Sequence, residues 1–81
     1  MQPIIKQTRE HGYKIIEECN LNKQLIKKTV YNSDDKTIWY IEDYKHGKII
    51  KTTTYNPDGT INYIEEFNED EKLIKKTHYY F

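Results

Sequence analysis

Three adjacent acidic pairs, Glu17-Glu18, Glu42-Asp43 and Glu65-Glu66, are the residues in this sequence with the clearest capacity for acid and base chemistry. Such chemistry needs both carboxylates in one cleft, with a nucleophile or an orienting group beside them. Neighbours on a strand point to opposite faces, so none of these pairs is expected to converge. They recur once per copy of an internal repeat, as scaffold does, and are expected to face Lys27, Lys51, Lys75 and Lys76 on adjacent strands. Cys19 stands where other copies carry Tyr44 and Phe67, which makes it a small hydrophobe near one end of a sheet. His11 and His46 fall in turns and His78 in the last strand, without metal-ligand spacing. The acidic turn at 68–71 lacks the glycine and bidentate glutamate of a calcium loop. The reading is therefore not an enzyme, with no cofactor and no metal.

Aromatic residues interleaved with lysine form the second group. Rings on an open sheet can stack bases of a single-stranded nucleic acid. Thirteen basic residues against thirteen acidic ones leave no field to attract a polyanion, which argues against nucleic acid. Trp39, Tyr40, Tyr63, Tyr79, Tyr80 and Phe81 could also build sugar or choline pockets. Most of these rings are expected to serve as cross-strand pairs instead.

The elements that must carry these residues come from the repeat. Leu73-Ile74-Lys75-Lys76-Thr77-His78-Tyr79 matches Leu25-Ile26-Lys27-Lys28-Thr29-Val30-Tyr31, and Ile49-Ile50-Lys51-Thr52-Thr53-Thr54-Tyr55 falls midway. Ile64-Glu65-Glu66-Phe67 likewise matches Ile41-Glu42-Asp43-Tyr44 and Ile16-Glu17-Glu18-Cys19. The period is about 23 to 25 residues. The units are about 13–36, 37–59 and 60–81, with a partial copy at 3–12, in one domain spanning 1–81. Between the turns lie runs rich in Ile, Thr, Tyr, Val and Phe, which suit a pleated surface. Asn56-Pro57-Asp58-Gly59 is a tight hairpin turn, and Glu10-His11-Gly12 and Lys45-His46-Gly47 end in glycine for the same reason. The fold class is all-β: a single antiparallel meander of about seven strands, at roughly 3–8, 13–19, 25–32, 37–44, 48–55, 60–67 and 72–80.

With the shortest hairpin register, one face carries Ile38, Tyr40, Glu42, Tyr44, Ile50, Ile61, Tyr63, Glu65, Phe67, Ile74, Lys76, His78 and Tyr80. The other carries Trp39, Ile41, Asp43, Ile49, Lys51, Tyr55, Ile64, Glu66, Leu73, Lys75 and Tyr79. The first, richer in large rings, is expected to be the packed side, and a bulge in any loop would undo the assignment. A single sheet with apolar side chains on both faces has no second layer to cover them, so a partner or a second copy is expected to do so.

Composition sets the remaining bounds. Eighty-one residues make one domain with a modest core, and eight tyrosines exceed what a disordered polar chain carries. A lone cysteine permits no internal disulfide. The stretch Met1-Gln2-Pro3-Ile4-Ile5-Lys6 lacks the apolar run of a signal peptide, and no segment reaches membrane-spanning length, which argues against membrane insertion.

The phrases Tyr55-Asn56-Pro57-Asp58-Gly59-Thr60-Ile61, Tyr63-Ile64-Glu65-Glu66-Phe67 and Lys72-Leu73-Ile74-Lys75-Lys76-Thr77 resemble the units of phytoplasma repeat proteins that carry a domain of unknown function. The likeness covers about residues 13–81. The chain departs from it at 68–71, which has no glycine, at Ser33-Asp34-Asp35-Lys36 in place of the Asn-Pro-Asp-Gly turn, and at Cys19. The resemblance implies secretion, with effector-like action in a host cell, and transfers no activity to any residue. More distantly the hairpin period is similar to MORN-type and antitoxin-type repeats, which implies an adaptor surface.

The expectation is a module for a protein partner, anchored by Trp39, Tyr40, Tyr44, Tyr63 and Phe67 and flanked by Lys51, Lys75 and Lys76, with a free edge strand as a second surface. The competing expectations are a homodimer or self-assembling surface protein made through the same face, and a carbohydrate or small-ligand binder.

Overall fold

The computed structural model describes residues 4–79. Seven strands follow one another: β1 (Ile4–Glu10), β2 (Tyr13–Cys19), β3 (Leu25–Tyr31), β4 (Ile38–Lys45), β5 (Lys48–Tyr55), β6 (Ile61–Phe67) and β7 (Leu73–His78). They form one antiparallel sheet in sequence order, β1 to β7, each strand paired with its chain neighbours. The strands expected at both ends of the chain ran to residues 3 and 80. Those limits, with Tyr80 and Phe81, lie outside the described residues.

Two kinds of turn make the meander. The 11–12 and 46–47 turns are two-residue links in which both residues have positive φ, His11 at 52° and Gly12 at 85°, His46 at 53° and Gly47 at 78°. That twist matches the twist of the strands they join. The other four turns each begin at an asparagine: Asn20, Asn32, Asn56 and Asn68. In each, the backbone N–H three residues on donates to the asparagine carbonyl, from Lys23, Asp35, Gly59 and Glu71. Those four donors all take positive φ. Only Gly59 does so without a steric cost. Side chains hold the turns: Asn20 Oδ1 accepts from the amides of Asn22 and Gln24, and Asn68 Oδ1 from those of Asp70 and Lys72.

After each of the last five turns the ladder slips by one residue. The unpaired extra residues are Ile26, Trp39, Ile50, Asn62 and Ile74, the third residue of β5 in the case of Ile50 and the second of the strand in the other four. These bulges correct the face assignment that the shortest register implies. Cross-strand partners share a face, so pairing with Tyr31 and Tyr55 moves Ile38 and Ile61 off the side that carries Tyr40 and Tyr63. Pairing with Tyr44 and Phe67 brings Ile49 and Leu73 onto it.

Burial falls at the middle of the sheet on both faces. Ile15 (6% exposed) and Val30 (3%) lie opposite each other in the row that continues to Tyr40, while Thr29 (8%) and Thr53 (6%) flank Ile41 on the other face. Neither face is the packed side by itself. Ile26, Trp39, Ile50 and Ile74, four of the five bulge residues, are exposed apolar side chains.

Candidate functional site

The aromatic side is built around Trp39. Its bulge sets the indole beside Tyr40, with ring centroids 5.1 Å apart and planes at 77°, and against Tyr13 at 5.4 Å and 44°. An edge-on and a tilted ring pair of this kind contribute about 0.5–1.5 kcal/mol each beyond area burial. Trp39 therefore belongs with Tyr40, not on the opposite face. Tyr13 was missing from the sequence-based set. The sequence does carry its signal, since Tyr13 alternates with Ile15 along β2, and Ile15 lies in the row of Val30 and Tyr40.

From Tyr40 the row runs across the sheet through Thr54 to Tyr63 and His78. Tyr63 and His78 lie 5.7 Å apart, and Lys76 Nζ sits 4.6 Å from the Tyr63 ring centroid. At the far end of the same side, Tyr44 lies opposite Ile49 and Phe67 opposite Leu73. The Tyr44 hydroxyl donates to Glu42 Oε1 at 3.0 Å. Burial, then that hydrogen bond and the Glu42 charge, push the phenol well above its usual range. Phe67, Ile50, Lys45, His46 and Lys48 border an open hollow of about 640 Å³ between the 46–47 turn and the 68–72 turn.

Six of the eight residues singled out from sequence, Trp39, Tyr40, Tyr44, Tyr63, Phe67 and Lys76, thus share one side of the sheet. Lys51 and Lys75 do not: both lie on the other side, on either flank of Glu66.

Charge is arranged in two ladders that cross the sheet. On the aromatic side the row is Lys6, Glu17, Lys28, Glu42, Thr52, Glu65, Lys76, and on the other side Ile5, Glu18, Lys27, Asp43, Lys51, Glu66, Lys75. The acidic strands β2, β4 and β6 alternate with the basic ones, and each acidic pair is split between the faces. Opposite charges facing each other across strands contribute about 0.2–1 kcal/mol per pair. Lys76 and Glu65 close to 4.0 Å. Register sets the carboxylates opposite lysines or Thr52, Glu65 alone comes within 4.0 Å of a ladder lysine among the described residues, and no two of an adjacent pair converge on one reacting atom.

Other polar groups hold the turns. Arg9 donates to both oxygens of Asp35, at 3.1 and 2.8 Å, and to the Gly12 carbonyl at 3.0 Å, while Lys14 donates to the Asp35 carbonyl at 3.2 Å. The Arg9 hydrogen bond lowers the Asp35 carboxyl pKa and raises that of the guanidinium. Asp34 and Asp58 are also held below the usual carboxylate range, by hydrogen bonds from Thr37 and Lys36 and from Thr60 respectively. Cys19 is a free thiol, half-buried opposite Ile4 and Leu25. Among the described residues no three His, Cys, Asp or Glu side chains gather to hold a metal ion, and no helix is long and apolar enough to cross a membrane.

A family model described as a protein of unknown function (DUF2963) matches residues 7–46 and again residues 45–78. The chain belongs to the DUF2963 family. The two DUF2963 matches meet at the β4–β5 hairpin, so the first takes in most of β1 with β2 to β4, and the second β5 to β7. No curated protein and no solved structure matches the chain.

Proposed function

We propose that this chain is a non-enzymatic protein-binding module, which holds a partner protein against the aromatic side of its sheet. The observation that carries the reading is the exposure of apolar rings and branched side chains on a sheet of one layer. Trp39 is 42% exposed although it stacks on two tyrosines, and Ile26, Ile50 and Leu73 are exposed as well. Large rings fixed by neighbours lose little freedom on binding and are the common anchors of protein interfaces. Trp39, Tyr40, Tyr44, Tyr63 and Phe67 serve as anchors, with Lys76 beside them, while Lys51 and Lys75, on the other side of the sheet, fall outside this surface. The split carboxylate pairs leave no acid and base side by side, which supports a binding role over a catalytic one. The likeness of the repeat phrases to phytoplasma proteins extends the proposal to a secreted protein whose partner belongs to a host.

Light scattering coupled to size exclusion, run over a range of concentrations on the wild type and on Trp39→Ser, tests this reading. A wild type that stays monomeric up to about 100 µM, well above the micromolar range in which specific pairs associate, keeps the aromatic side free for another protein. A dimer that the folded Trp39→Ser variant loses would assign that side to self-association and overturn the proposal.

A further inference from the structure

We propose that the outer edge of β7 takes up an extended acidic segment of a partner protein as an antiparallel eighth strand, its two adjacent carboxylates facing Lys75 and Lys76. This concerns the edge and not the aromatic side, so either reading can fail without the other.

The charge ladders carry the inference. Lys27 lies between Glu18 and Asp43, Lys28 between Glu17 and Glu42, and Lys51 between Asp43 and Glu66. Strand β7 repeats the Leu-Ile-Lys-Lys-Thr of β3, yet Lys75 and Lys76 face Glu66 and Glu65 on one side and no strand on the other among the described residues. The outer edge also presents a row of backbone N–H and C=O groups open to pairing. An added strand gains affinity from those main-chain bonds and specificity from its alternate side chains.

The register of such a strand is written twice inside the chain. Ile41, Glu42 and Asp43 meet Thr29, Lys28 and Lys27, and Ile64, Glu65 and Glu66 meet Thr53, Thr52 and Lys51. In the same register a partner would set an aliphatic residue opposite Thr77 and carboxylates opposite Lys76 and Lys75. The other edge is a poorer match, because β1 contributes one ladder lysine, Lys6, with Ile5 in the other row. A second copy of this chain is a poor occupant too. Its acidic strands β2, β4 and β6 are paired on both sides, and edge-to-edge contact of β7 with β7 or β1 offers no adjacent carboxylate pair and, with the lysine rows aligned, opposes like charges.

The test uses the ¹⁵N-labelled 81-residue chain and two synthetic peptides, one with the sequence of residues 60–68 and one with glutamine at both glutamate positions. The expected result is a set of amide shifts centred on Lys75, Lys76 and Thr77, with binding about tenfold weaker for the glutamine peptide and a difference that shrinks with added salt. A chain carrying Lys75→Gln and Lys76→Gln, which opposes no like charges, is expected to lose the preference between the peptides. Absence of shifts at millimolar peptide would reduce the lysines to guards against aggregation and overturn the proposal. Equal binding of the two peptides, or shifts centred on Trp39 and Tyr40, would overturn it as well. Dimerisation of the chain through β7 without peptide would do the same.

Discussion

Strands β3 and β7 begin with the same five residues, Leu-Ile-Lys-Lys-Thr, and differ in how far those residues are covered. In β3, Thr29 is buried and Leu25, Lys27 and Lys28 are half-buried; in β7, Thr77 is half-buried and Leu73, Lys75 and Lys76 are exposed. The bulge isoleucine shows the same contrast, Ile26 at 37% exposed and Ile74 at 63%. The sequence and the turn before each strand are closely alike, so the difference comes from the flanks. Strand β3 has β2 on one side and β4 on the other, whereas among the described residues β7 has β6 alone. In a sheet without a second layer, the side chains of both neighbouring strands are the cover. Hydrophobic stabilisation follows the area removed from water, so it concentrates in β2 to β5 and thins toward the edges.

Truncation at the two places is the sharpest way to break this comparison. Val30→Ala, at the covered centre, is expected to cost about 2 kcal/mol through lost burial and the space left behind. Ile74→Ala, at the edge, is expected to cost under about 0.5 kcal/mol. Urea denaturation of the three chains reads the difference, and equal losses would mean that flanking strands are not the source of burial.

Charge reversal gives a smaller contrast of the same kind. Lys27→Glu would face Glu18 and Asp43 together, while Lys75→Glu would face Glu66 alone. The expected losses are about 1 and about 0.5 kcal/mol at low ionic strength. Both should shrink toward zero as salt shortens the screening length to about 3 Å near 1 M. A gap that survives high salt would point to packing of the lysine stems instead of charge.

The smallest effect belongs to the turns and should show no contrast. Lys23 precedes β3 at φ 63° and Glu71 precedes β7 at φ 61°. Replacing either by glycine relieves a left-handed backbone at some cost in chain entropy, for an expected gain of about 0.5 kcal/mol at both places. Thermal melts of Lys23→Gly and Glu71→Gly should therefore move by equal amounts. Unequal shifts would show that the two turns, alike in their bonds, differ in what they support.

The strands were legible because β-branched and aromatic runs alternate with turn residues, and the observed limits fall within about two residues of those expected from pattern. The opposition of the acidic pairs to Lys27, Lys51, Lys75 and Lys76 is legible too, since it follows from the repeat and from antiparallel order alone. Lys28 and Lys6 complete the same ladders and were absent from that reading. The aromatic cluster was only partly legible. The strand pattern puts Trp39 on the face opposite Tyr40, and so away from Tyr13, because a one-residue slip after a turn leaves no mark in it.

By itself, then, the sequence determined the number and order of the strands, the alternation of acidic and basic ones, and the turns that reverse the chain. These depend on residues close together, on backbone preferences at single positions and on a period of two. The tertiary structure alone decided which rings meet, on which side Trp39 lies and how deeply each copy of the repeat is covered. Those properties depend on register across neighbouring strands and on how many neighbours a strand has, and five bulges reset the first while position in the sheet sets the second.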